Sequence, residues 1–221
     1  LNIFRNAMVL TGLASVAFAC FAVRSEFNSV MAAPDETQMY LSALQEQPVF
    51  ASSLSNSSHT FQMRNCDDYL ASVVGPLFGR TALENVATSC EQRASEILAV
   101  SPNAAVAHLV RADALAIIGQ PDEAFAAYER SYQLAPSEGW LATRRLRLAF
   151  RLGAAALGDA AANDAKLMVE SHIYRPYLVD LYQSNPAHRE WLASALEGAD
   201  PGALRTFLRL VRQAAQRGTG L

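Results

Sequence analysis

Two pairs of chain-breaking residues recur at one interval. Pro102, in the stretch LAVSPN, returns as Pro136 in QLAPSE, and Gly119, in IIGQ, returns at the same distance as Gly153 in RLGA. The shared interval, about 34 residues, is a period found in helical-repeat chains. Apolar residues between these breaks fall at helical spacing, so the interval reads as helix, turn, helix. A fixed period of this size marks units that cannot bury an apolar face alone and must stack on their neighbours. From Asn65 onward no alternating β-branched run bounded by turns interrupts the helical pattern, which predicts an all-α fold.

The stretch from Gly119 to Pro136 carries the fuller pattern: Gly119 between helices, the small Ala124, Tyr128 four residues on, and Pro136 to close. It resembles the second helix of a tetratricopeptide repeat. AVAHLVRADALAII before it supplies the first helix, with His108, Arg111, Ala112 and Leu115 where that family carries a bulky aromatic, a Leu-Gly pair and a tyrosine. Small Ala112 keeps the close helix approach. The flanking units are more degenerate: TALENVATSCEQRASEILAVSP, with Cys90 and Ala94 at the small and aromatic positions, and GWLATRRLRLAFRLGAAALGD. The resemblance covers about residues 66–170. It implies a short stack of antiparallel helix pairs, an α-solenoid, over 65–170, closed by capping helices over 171–221.

The chain's start is different in kind. Asn6 to Val23 is 18 residues without a charge, about 27 Å as a helix and close to the hydrocarbon thickness of a bilayer. Arg5 and Arg24 bracket it and can reach the headgroups. We expect a transmembrane anchor over 1–24, with the bilayer as partner of residues 6–23; the alternative is a signal sequence cut after Ala19 or Ala33. Arg5 ahead of the span leans toward a cytoplasmic N-terminus. Lys166 is the only lysine among 18 basic residues, a usage typical of GC-rich bacterial genomes. The expected location is therefore a bacterial inner membrane, single-pass, with the C-terminal domain periplasmic.

Residues 25–64 read as a short helix capped by Asp35 and stopped before Pro48, then a Ser/Asn-rich flexible linker. Asn65 is placed to cap the next helix, Thr81 and Glu84 form a capping-box pattern that starts another near Ala82, and Asn185-Pro186 and Asp200-Pro201 mark two further starts. Leu204, Phe207, Leu208 and Val211 define one apolar face of the last helix. Cys66 and Cys90, the two cysteines outside the apolar span, sit on neighbouring antiparallel helices with heights offset by about 6 Å. They are either a disulfide suited to an oxidising compartment or two small buried hydrophobes.

Motifs that carry chemistry are scarce. His59, His108, His172 and His188 show no ligand spacing, and no Cys-x-x-Cys, phosphate loop or nucleophile elbow occurs, so we expect no metal, cofactor or catalysis. A net charge of −3 gives no basic field for nucleic acid. The one local concentration is Arg144, Arg145, Arg147 and Arg151 on a single helix without an intervening acid. Tetratricopeptide proteins bind peptides on the inner faces of their first helices; the resemblance puts Trp140, Arg147 and Arg151 on that face in the third unit, and Leu109, Asp113 and Ile117 in the second. Arginine forks suit carboxylates, although arginines on a helix also pair with local acids. The expectation is a non-enzymatic, membrane-tethered scaffold or assembly subunit holding a protein partner within a membrane complex. A secreted or periplasmic enzyme or soluble binding protein, with the apolar start as signal, is the alternative.

Overall fold

The computed structural model describes residues 2–31, 33–153, 156 and 158–218. Among these the chain is all-helical, with no strand, and it divides into two compact units, residues 1–97 and 98–221.

The first unit opens with α1 (Asn2–Met31), whose segment Asn6–Phe27 has a mean hydropathy of 1.9 and places no residue in the buried core. It is long and apolar enough to cross a membrane. Helix α2 (Glu36–Ala43) starts as expected: Asp35 accepts from the Gln38 amide at 2.8 Å and the Gln38 side chain returns the bond, a closed capping box. Its Tyr40 is fully buried, stacks on Phe78, and donates to the Tyr69 carbonyl at 2.7 Å. Gly75 lies so close under that ring that a Cβ would stand 2.3 Å from the hydroxyl, so only glycine fits.

Helix α3 (Asn56–Ala71) corrects the linker boundary. Its N-cap is Ser55, not Asn65, which lies mid-helix. The segment ahead of it is fastened rather than loose: Gln62 donates to the Ala51 carbonyl at 2.8 Å, Arg93 to Ser53 at 3.0 Å, and the His59 ring meets the Ser53 carbonyl at 3.0 Å. Serine and asparagine composition suits a tether and a helix start alike; bonds from distant side chains decide between them. Helix α4 (Arg80–Val100) starts slightly ahead of the expected Ala82, and Glu84 pairs with Arg80 at 2.6 Å.

In the second unit α5 (Ala105–Ile117) packs on α6 (Pro121–Leu134), and both contact α7 (Gly139–Leu152), which packs on α8 (Asp159–Glu170). Glycines end two of these helices. Gly119 and Gly153 follow α5 and α7 with φ of 85° and 79°, a left-handed conformation open to glycine. The starts of α5 and α7, Ala105 and Gly139, keep the interval of the two glycines, whereas Pro121 and Asp159, which start α6 and α8, stand further apart. The connection between α7 and α8 is therefore the longer of the two. Ala112, Ala124 and Tyr128 are fully buried, as close helix contact requires.

Helix α9 (Arg175–Ser184) packs on α8, and α10 (Arg189–Ala195) and α11 (Pro201–Gly218) close the unit against α8 and, for α11, α9. Asp200 caps α11 as expected, accepting from the Ala203 amide at 2.7 Å. Asn185 does not cap through its side chain: its amide donates back to the Leu181 carbonyl at 2.9 Å, a 3-10 turn spans Pro186–His188, and α10 starts only at Arg189. On α11 Phe207 is buried and Leu204 and Val211 are half-buried, but Leu208 is exposed, so the buried face is narrower than the apolar pattern.

Candidate partner-binding face and its ion pairs

The α7 arginines point in three directions, and each has a partner that composition does not reveal. Arg145 turns inward and is fully buried. Its Nε and terminal nitrogen bind the two Asp164 oxygens at 2.8 and 2.6 Å, its other terminal nitrogen donates to the Ala135 carbonyl at 3.1 Å, and its guanidinium lies 5.5 Å from the Tyr132 ring centre. This bidentate fork joins α7 to α8. Burial pushes the Asp164 carboxyl up, against the pull of Arg145. Burial likewise raises Tyr128, whose hydroxyl has no hydrogen-bond partner among the described residues.

Arg144 lies over Trp140, 5.4 Å from the ring centre. Arg147 and Arg151, one turn apart, both reach across to α5 and share the Asp113 carboxylate, Arg147 at 3.9 Å and Arg151 in closer contact. Asp113 is 1% exposed, while the two arginines keep about a third of their side chains in solvent, at 32% and 39%. The structure therefore brings Asp113, Arg147 and Arg151 together, and it corrects the expected face in two ways. Asp113 is covered by the arginines and unavailable to a partner. Leu109 is in the core, 1% exposed; the residue one period before Trp140 is Val106, which is also buried. Of the expected face, Ile117 and Trp140 are half-buried, and with the outer edges of Arg147 and Arg151 they are what solvent reaches.

Of the two alternatives for Cys66 and Cys90, the structure shows the disulfide. Cys66 and Cys90 form a disulfide with Cα atoms 5.7 Å apart, both fully buried between α3 and α4. The connection over residues 72–79, with its 3-10 turn Gly75–Phe78, takes up the offset that a tight turn would have left. Three histidines meet backbone carbonyls: His59 that of Ser53, His108 that of Pro102, and His188 that of Phe150. Among the described residues no group of three or more His, Cys, Asp or Glu could hold a metal ion.

One side-chain cluster with no sequence motif ties α1 to the start of α3. Glu26, on the last turns of α1, accepts hydrogen bonds from the Leu54 and Ser55 amides at 2.7 and 2.8 Å, from the Ser55 hydroxyl at 2.7 Å, and from the Ser58 hydroxyl. Ser25 adds a bond to the Ser52 carbonyl at 3.0 Å. A carboxylate at the start of α3 also complements that helix's dipole. The one available signal was that Glu26 is the sole acid ahead of Asp35.

No protein-family model, curated protein or solved structure matches the chain.

Proposed function

We propose that this chain is a membrane-tethered scaffold or assembly subunit of a bacterial envelope complex, non-enzymatic, with tetratricopeptide-like helix pairs that hold a protein partner. The reading rests on α1. Its apolar segment leaves every side chain outside the protein core, where water would not tolerate so large a surface and a bilayer would. At the same time its polar end is bonded into the fold through Glu26. A leader removed after Ala33 would take that carboxylate with it and leave the start of α3 without its acceptor. The disulfide supports a periplasmic location for the head, because such bonds persist in oxidising compartments.

The partner face we assign is the outer edge of the ion-paired cluster: Arg147 and Arg151, each with about a third of its side chain in solvent, together with half-buried Trp140 and Ile117, a set of guanidinium forks and an aromatic surface that suits an acidic segment. Intact mass of the protein taken from native membranes tests the anchor, with a chain starting after Ala19 or Ala33 counting against it. Affinity capture from gentle detergent tests the face. The triple variant Asp113→Asn, Arg147→Gln, Arg151→Gln removes the charges and keeps a polar side chain at each position, and it should lose the partner; capture undiminished in a folded triple variant would move the binding site elsewhere.

A further inference from the structure

The bonds made by Glu26 fix a depth as well as an attachment. Val23 ends the uncharged run, and Glu26 follows three residues on, about 4.5 Å along the helix. The headgroup layer beyond the hydrocarbon is about 5–7 Å thick on each side. With the run filling the hydrocarbon, Glu26 stands within that layer, and the amides of Leu54 and Ser55, hydrogen-bonded to its carboxylate, stand there with it. Leu54 is 57% exposed and Phe27, next to Glu26 on α1, is 60% exposed. Two large exposed apolar residues, one next to Glu26 in sequence and one whose amide donates to it, thus accompany a cluster of serine hydroxyls, the mixed chemistry that suits an interface between lipid and water.

We propose that the Glu26 contacts seat residues 52–55 in the lipid headgroup layer, where Leu54 and Phe27 give the head a second, interfacial contact with the bilayer beyond the span itself. The occupant is the bilayer because this surface is continuous with the apolar helix that the bilayer would cover. The inference rests on the anchor reading. Held this way, the start of α3 is fixed against the membrane surface and does not swing freely on α1.

The test uses the full chain in lipid nanodiscs, with Cys20→Ala to remove the free thiol and the Cys66–Cys90 bridge intact. A nitroxide is placed at Leu13→Cys or at Leu54→Cys, and its relaxation by a nickel-chelating lipid, by a water-soluble nickel chelate and by oxygen is compared. The Leu13 site should respond to oxygen in the hydrocarbon, and the Leu54 site several-fold more to headgroup nickel than to aqueous nickel. Adding Glu26→Ala should bring the Leu54 response down to the aqueous level. A Leu54 site relaxed by aqueous nickel alone, with the Leu13 site in lipid, overturns the seating and leaves the anchor standing. A Leu13 site open to water overturns both. Headgroup contact that persists in Glu26→Ala overturns the role given to this carboxylate.

Discussion

Helices α3 and α4 are fastened by a covalent bond between two small side chains, whereas α7 and α8 are fastened by a bidentate ion pair between two large charged ones. Both links are wholly buried, yet their energetics differ in origin. The disulfide closes a loop with sequence separation 24 and acts mainly by restricting the unfolded chain, worth about 3 kcal/mol. The ion pair acts within the folded state: desolvation nearly offsets the attraction, so the pair adds little net stability, but loss of one member leaves a bare charge in the core. The first link is sensitive to reductant and the second to any change that unbalances charge.

The largest effect should come from breaking the ion pair on one side. Asp164→Ala leaves Arg145 buried without its carboxylate and should cost about 3–5 kcal/mol, read as a drop in the urea midpoint. Replacing both partners, Arg145→Met with Asp164→Leu, should recover most of that loss. A double variant as unstable as the single one would show that the pair contributes more than its charge balance. The disulfide comes next. Cys66→Ala with Cys90→Ala should lower stability by about 3 kcal/mol, and reductant should bring the wild-type protein to the same level while leaving the variant unchanged. Reductant without effect on the wild type would remove the covalent half of the contrast.

The cluster between α5 and α7 is an intermediate case, a buried carboxylate held by half-exposed arginines. Arg147→Ala with Arg151→Ala should cost about 1–3 kcal/mol, the penalty for a buried group that loses two of its partners, and Asp113→Asn in the same background should return part of it. Equal stability with and without Asp113→Asn would mean that water replaces the guanidinium groups. The smallest effect concerns His108, whose pKa burial lowers from its ordinary 6.5. The fold therefore favours the neutral ring. That contribution is complete above the ordinary pKa and is lost as pH falls through the lowered one. Between pH 7 and pH 5 the wild type should lose slightly more stability than His108→Gln; parallel pH profiles would contradict this.

The parts legible in the sequence are those decided within a few residues. Asp35 and Asp200 cap their helices because a cap needs only the amides two or three positions ahead, and Gly119 and Gly153 end theirs because left-handed backbone is a local demand. Asn65 failed as a helix start because α3 had already begun at Ser55, held by a carboxylate 29 residues away. The α7 arginines divided similarly. Asp164 lies 19 residues from Arg145 and Asp113 lies 38 from Arg151, so their pairing depends on which helices meet. The spacing held part of that answer, since Asp113 and Arg147 stand at the same interval as Gly119 and Gly153, on α5 and α7, which contact each other. Reading them as opposite charges on adjacent rows would have predicted the bond.

The bridge between α3 and α4 also ties the firmness of the N-terminal unit to its chemical surroundings. With both thiols reduced, the pair of helices lacks the restriction that closure supplies, and the unit takes a looser form that is easier to unfold. Oxidation closes the loop and makes the return to that looser form rare, so the redox state of the compartment acts as a setting for how rigid this unit is.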